Sequence, residues 1–259
     1  MSSYLTTCEK AARAAGEVLN HWRGKFSVRE KGRADLVTDA DLAAQKAIAE
    51  ILLADFPDFD FLGEESQASE RPPADSPFCW IVDPLDGTTN YVHGLPNYSV
   101  SIALAEAGTV IAGVVYDPVF DRCFKAEKGQ GAYLNDEKIE VSAAQSLDEA
   151  LIASSFAASV QPGSKEIDDF IKILTQSQGI RRLGSAALNL AYVASGCLDG
   201  YMAFSNKAWD VAAGVILVQE AGGTVQGYGN RPFDLNAPKI VATGTPQLQE
   251  ALQAQLGDI

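Results

Sequence analysis

The stretch Phe78-Cys79-Trp80-Ile81-Val82-Asp83-Pro84-Leu85-Asp86-Gly87-Thr88-Thr89-Asn90 decides how this chain is read. Its first five residues form a short apolar run, the pattern of a strand buried on both faces. The run is expected to stop at Asp83, leaving two carboxylates just past a strand end with Pro84 stiffening the turn between them. Gly87 allows close backbone approach to a ligand. Thr88, Thr89 and Asn90 offer N–H groups and short polar side chains at an expected helix start. Carboxylates beside such a cradle suit a hard divalent cation that shares its oxygen ligands with phosphate. The same residues are also common turn formers, so two aspartates alone decide nothing.

Working outward, two further element ends supply acids. Glu64 and Glu65 follow a short strand expected at Phe59 to Leu62. Asp210 follows Trp209 where a helix is expected from Val211 to Ala221, a place where an N-cap explains it equally well. Upstream, Leu5, Cys8, Ala12, Ala15, Leu19 and Trp22 recur at helical spacing and predict a helix over Ser3 to Trp22. Thr38 or Asp39 caps a second helix. From Ser99 to Val141 the pattern becomes strand-turn-strand, an antiparallel meander. Thereafter helices (Glu166 to Gln176, Ala186 to Ser195) alternate with strands (Leu151 to Ser155, Gly200 to Phe204, Lys239 to Ala242). Pro72, Pro73 and Pro77 mark a surface loop. The order implies an α+β part followed by an α/β part, with helices covering both faces of the sheets.

Composition sets the outer limits. The 259 residues are 47% hydrophobic and 21% charged, an ordinary globular balance. With 34 acidic against 20 basic residues, the net charge is -14. That disfavours nucleic acid or an anionic membrane as the main partner. Four cysteines without a CxxC pair and two histidines argue against structural zinc. The cysteines read as small buried hydrophobes in a reducing compartment. Neither a signal peptide nor a spanning helix is evident, so a cytoplasmic protein is expected.

The motifs resemble those of the inositol monophosphatase family of Mg²⁺-dependent phosphatases. The likeness rests on Gly63-Glu64-Glu65-Ser66, on Asp83-Pro84-Leu85-Asp86-Gly87-Thr88-Thr89-Asn90 and on Trp209-Asp210-Val211-Ala212-Ala213-Gly214. Asp35-Leu36-Val37-Thr38-Asp39-Ala40-Asp41 and Gly184-Ser185-Ala186-Ala187 also fit, and all five occur in the family's order. The resemblance implies a layered αβαβα sandwich of the inositol monophosphatase and fructose-1,6-bisphosphatase type. It treats 1–259 as one phosphatase unit, with an N-terminal part to about 145 and a C-terminal part from about 146, and implies a homodimer.

It also assigns roles. Glu64, Asp83 and the carbonyl of Leu85 would hold one Mg²⁺, and Asp83, Asp86 and Asp210 a second. Glu64 would contribute to a third, looser site, and Mn²⁺ is an expected substitute. Asp41 and Thr88 would orient and activate the attacking water, with the N–H groups of Gly87 and Thr88 on phosphate. Asp86, Asp210 and Ala186 would lie near the alcohol part of the substrate.

The implied activity is hydrolysis of inositol 1-phosphate or a similar small polyol phosphate by metal-activated water. The alternatives are the same chemistry on histidinol phosphate, fructose 1,6-bisphosphate or 3'-phosphoadenosine 5'-phosphate, or a partner-binding protein on the same fold. Haloacid-dehalogenase chemistry is excluded, because Pro84 stands where its nucleophilic aspartate would be. An EF-hand is excluded by Leu85, which breaks the alternation of oxygen side chains. His93 is read as a loop histidine, Trp80 and Trp209 as core packing, and Arg181-Arg182 as a surface pair. One departure bears on substrate. Inositol-specific members carry a glutamate seven residues before the Trp-Asp aspartate, and Ala203 stands there in this chain.

Overall fold

In the computed structural model, residues 2–32, 35–66, 76–157 and 160–256 are described. Pro72 and Pro73 lie outside them, and Pro77 is exposed. The chain opens with α1 (Ser3–Trp22), the hairpin β1 (Val28–Gly32) and β2 (Asp35–Thr38), and α2 (Asp39–Asp55). Then come β3 (Asp60–Gly63), β4 (Phe78–Asp86), the short α3 (Thr88–Val92), β5 (Ser99–Glu106), β6 (Thr109–Asp117), β7 (Arg122–Glu127), β8 (Gly131–Leu134) and β9 (Glu137–Ile139). The second half contains β10 (Leu151–Ser155), α4 (Lys165–Gln176), β11 (Gly179–Arg181), α5 (Ala186–Ala194), β12 (Gly200–Ala203), α6 (Ala208–Glu220), β13 (Thr224–Gly227), β14 (Ile240–Thr243) and α7 (Pro246–Gln255).

Strands β3 to β9 form a seven-stranded sheet in sequence order, antiparallel except for the β3–β4 pair. A five-stranded mixed sheet runs β11-β10-β12-β14-β13. Helices α1 and α2 cover the outer face of the large sheet, α5 and α6 lie between the sheets, and α4 and α7 cover the small sheet. This is the layered αβαβα sandwich. A helix with sheets on both sides has no solvent face, so α5 and α6 are apolar nearly all round. By contrast, α4 is strongly amphipathic and leaves Ile171 and Leu174 exposed. Three apolar clusters fill the gaps between layers.

Two readings of the sequence need correction here. The buried strand does not stop at Asp83 but continues through Asp86. Asp83 pairs with Ser101 and Asp86 with Ser99, so β4 holds one more residue than β5 across this interval. Residues three apart on a regular strand face opposite sides. The extra residue, next to a proline that cannot donate to the ladder, cancels that alternation and turns both aspartates to one side. The second correction concerns α6, which starts at Ala208 rather than Val211, so Asp210 sits inside its first turn and is not the N-cap. The hairpin β1–β2, strands β11 and β13, and α7 were not anticipated. Cys8, Cys79 and Cys123 are buried as expected, but Cys197 is exposed.

Candidate active site

One cleft of about 230 Å³ is lined by Glu64, Asp83, Leu85, Asp86, Gly87, Thr88, Ala186 and Asp210. These are the residues to which the family resemblance gave metal, catalytic or substrate roles, except Asp41, whose carboxylate faces the Thr88 hydroxyl. Five elements deliver them: the end of β3, strand β4, and the starts of α3, α5 and α6. The Glu64 N–H donates to the Val82 carbonyl, placing the end of β3 beside β4. The Ser101 hydroxyl of β5 donates to the Trp209 carbonyl, holding the start of α6 against the same sheet. The Leu85 N–H donates to Asp83 Oδ1 at 3.0 Å.

Helix starts do most of the positioning. Thr38 caps α2, and its N–H and hydroxyl both donate to Asp41 Oδ2, at 2.8 and 2.5 Å. That leaves Asp41 Oδ1 facing the Thr88 hydroxyl at 3.3 Å, and the same hydroxyl lies 3.0 Å from the Leu85 carbonyl. Asp86 spans to α5, accepting from Ser185 Oγ at 2.5 Å and from the N–H groups of Ala186 and Ala187 at 3.2 and 2.7 Å. Asp210 accepts from the Lys207 N–H at 2.7 Å.

Electrostatically the cleft is crowded with acid. Burial, reinforced by Glu64, Asp86 and Asp210, pushes Asp83 well above the usual carboxylate range, and a hydrogen bond to Glu64 adds to this. Asp210 is raised by burial and by Glu64 and Asp86, against the pull of its bond from Lys207. Burial raises Asp86 to about 6, with its hydrogen bonds to Ser185 and the α5 amides opposing. Asp41 rises to about 6 by burial, with the Thr38 bonds opposing and Glu65 reinforcing.

Among the described residues no three His, Cys, Asp or Glu side chains are drawn together as a finished metal-binding group. The donor chemistry nonetheless fits a hard divalent cation. Carboxylates and a carbonyl are all oxygen ligands, and their mutual repulsion is what a bound cation relieves.

Sequence reasoning missed Ser155 and Phe156, which complete the lining together with Arg182, Gly184, Ser205 and Asn206. Arg181 and Arg182 are both exposed, as expected of a surface pair, and Arg182 also borders the cleft, its guanidinium 5.6 Å from the Phe156 ring centre. Asn90 was quoted within a motif but given no role. Its amide donates to the Asn97 and Leu183 carbonyls at 2.7 and 2.8 Å, stapling α3 to the loop before α5. Gly87 and Gly184 meet there. Both have positive φ, and a Cβ on Gly87 would lie 3.0 Å from the Asn97 carbonyl. His93 is exposed and outside the cleft lining, while Trp80 and Trp209 are core residues. Ala203 is 1% exposed and packs in the core, so the wall it was expected to shape is formed instead by Ser205 and Asn206.

Comparison with known proteins agrees with this arrangement. The chain matches the model of the inositol monophosphatase family over residues 1–259. It is 42% identical over 257 residues to an inositol-1-monophosphatase of Synechocystis sp., covering 98% of this chain and 89% of that protein. It is 38% identical over 251 residues to a protein of Pseudomonas aeruginosa named Nus factor SuhB, covering 95% and 93%. Among solved structures, the extragenic suppressor protein suhB from Bartonella henselae superposes with a TM-score of 0.92 at 38% identity, covering 99% of each chain. An inositol monophosphatase from Anabaena gives 0.85 at 36% identity, covering 98% and 94%. With its fold, motif order and full-length match in agreement, this chain belongs to the inositol monophosphatase family.

Proposed function

We propose that the protein is a Mg²⁺-dependent phosphomonoesterase acting on inositol 1-phosphate or a similar small polyol phosphate. The observation that carries this reading is the gathering of Glu64, Asp83, the Leu85 backbone, Asp86 and Asp210 in one cleft with Gly87 and Thr88. Glu64, Asp83 and the Leu85 carbonyl would hold one cation, Asp83, Asp86 and Asp210 a second, and Glu64 part of a third. When bound, the cations neutralise phosphate charge, make water more acidic and stabilise the departing alkoxide.

The protein's own groups divide the remaining work. The Thr88 hydroxyl has a single hydrogen and lies between two acceptors, Asp41 Oδ1 and the Leu85 carbonyl. Donation to Asp41 leaves a Thr88 lone pair to accept a proton from water. The proton then passes from water to Thr88 Oγ1 and from Thr88 Oγ1 to Asp41 Oδ1. The water oxygen bonds to phosphorus, the ester P–O bond breaks, and the alcohol leaves with a proton from solvent. The N–H groups of Gly87 and Thr88 orient the phosphate, since the first amides of a helix lack intrahelical acceptors. Asp86, Ala186 and Asp210 border the alcohol. With Pro84 in place of a nucleophile, no phosphoenzyme forms.

The same reading makes the protein a cytoplasmic homodimer without a nucleic-acid or membrane partner. The net charge of -14 supports the last point, and among the described residues no helix is long and apolar enough to cross a membrane. The relative named Nus factor SuhB favours a second reading, partner binding on the same fold. A phosphate-release screen over small phosphomonoesters, with Mg²⁺ and with chelator, separates the two. Turnover that needs the metal supports the phosphatase. No turnover on any substrate supports the partner-binding reading.

A further inference from the structure

The acids of the cleft do not share one layer. Asp83 and Asp86 lie on β4, and Glu64 is tied to β4 through the Val82 carbonyl. Of these acids, Asp210 alone comes from the second half of the chain, in the first turn of α6. A cation between Asp83, Asp86 and Asp210 therefore bridges the large sheet and the middle helix layer, and its site is only as well made as the joint between them. The acids work against that joint, because like charges gathered in one cleft repel. The far end of α6 is fixed to the large sheet by Glu220, which accepts from the Gly129 and Gly131 N–H groups at 2.8 Å each. At the near end the tie comes from β5. Ser99 and Ser101 lie two apart on that strand and so share a face, and the ladder pairs them with Asp86 and Asp83. Each hydroxyl reaches one helix start. Ser185 donates its single hydroxyl hydrogen to Asp86, so Ser99, 3.4 Å away, is the donor between the two serines. Ser101 donates to the Trp209 carbonyl at 3.1 Å. Inside a helix that carbonyl ordinarily serves the N–H four residues on, and its second lone pair takes the serine. Ser101 is 1% exposed, so bulk water does not compete for the bond.

We propose that Ser101 is a positioning residue for the divalent cation: by holding the Trp209 carbonyl it sets the place of the next residue, Asp210, relative to Asp83 and Asp86. The inference rests on the phosphatase reading and deepens it by naming what joins the two halves of the cation site. Ser101 itself is not part of the cleft lining. It acts by keeping the start of α6 where Asp210 faces the β4 carboxylates before any cation arrives. Without that bond, repulsion among the acids moves the first turn away. The competent arrangement then becomes a fraction of the population, and the apparent cation affinity falls by that fraction. A bond that serves only the fold lowers stability but leaves the affinity of the folded protein unchanged.

The test is the Mg²⁺ Kd of the substrate-free protein, measured by calorimetric titration in wild type, Ser101→Ala and Ser101→Thr, with the metal-free Tm of each. Phosphate release from inositol 1-phosphate is followed against Mg²⁺ concentration in parallel. Ser101→Ala is expected to raise Kd by about threefold to tenfold, the scale of one neutral hydrogen bond. The Mg²⁺ concentration for half-maximal turnover rises by the same factor, and excess Mg²⁺ recovers turnover in the variant. Ser101→Thr keeps the hydroxyl and the wild-type Kd. Thr245→Ala is the control, because it removes a hydroxyl that caps α7 and donates to the Ala144 carbonyl at 2.6 Å, outside the cleft lining. It lowers Tm and leaves Kd unchanged. If Ser101→Ala does not fold, Ser101→Cys replaces it, since a thiol is only a weak donor. A lower Tm with unchanged Kd in Ser101→Ala, or an equal rise of Kd in Thr245→Ala, would overturn the positioning role while leaving the phosphatase reading intact. Absence of both Mg²⁺ binding and Mg²⁺-dependent turnover in wild type would overturn both.

Discussion

Asp41 divides its two oxygens between structure and chemistry. Oδ2 completes the cap of α2, and Oδ1 faces Thr88. Only the charged form accepts at both, and burial raises its pKa to about 6. The proposed proton relay is therefore lost as pH falls through a value no higher than about 6, because a cation in the cleft can only lower it. The kcat profile should show an acidic limb there. Asp41→Asn should lower kcat by roughly 10²–10³, the range for losing acid–base assistance, and should flatten that limb. An unchanged profile in the variant would remove Asp41 from the relay. Every proposed ligand could be named from sequence because the residues come in short ordered motifs. Arg182 could not be placed at the cleft, since a two-arginine run carries no information about which member borders it. Ala203 was misplaced for a related reason. Counting back from Asp210 fixes a position in the chain but not the face of β12 on which it lies, and that face is the core.

The starts of four helices, α2, α3, α5 and α6, converge on the cleft, so the arrangement depends on what holds them together. Asn90 bonds two carbonyls from different segments, and its own motif gives no hint of those distant partners. Asn90→Ala leaves both carbonyls without this donor, at an expected loss of roughly 1–3 kcal/mol. Activity should fall as well, because α3 carries Thr88. Gly184→Ala should act similarly, since at φ +85 its Cβ would lie 2.8 Å from Asn90 Nδ2; left-handed backbone alone costs about 1–2 kcal/mol. Denaturant unfolding measures both. Periodicity located most elements, including α1 with both ends correct. It failed at the short β11 and β13, which have too few residues to establish alternation. It also failed at the bulge in β4, because an apolar run buried on both faces shows no period to interrupt.

Across the whole molecule, the acidic cleft sets the response to pH and metal. Asp41 and Asp86 are raised from 3.8 to about 6 in the fold, and Asp83 and Asp210 are raised as well. A carboxyl with a raised folded pKa weakens the fold above that pKa and ceases to do so as it is protonated. The metal-free protein should therefore gain stability as pH falls from 8 towards 5. The acids whose pKa is lowered, Glu9 and Asp121, lose their contribution only below that window. Saturating Mg²⁺ should raise Tm most at high pH, by about 2.7 kcal/mol of stability at a hundredfold excess over Kd. A Tm that falls between pH 8 and 6 without metal would contradict this. The layer order was legible because apolar α5 and α6 alternate with strands. The most direct test of the whole account is Mg²⁺-dependent phosphate release from inositol 1-phosphate by wild type and Asp83→Asn, with Tm measured on both. The account predicts turnover by wild type and a loss of roughly 10²–10³ or more in the variant, the scale of removing a principal electrostatic contact, with metal-free Tm equal or higher. Near wild-type turnover by a folded Asp83→Asn protein would contradict it.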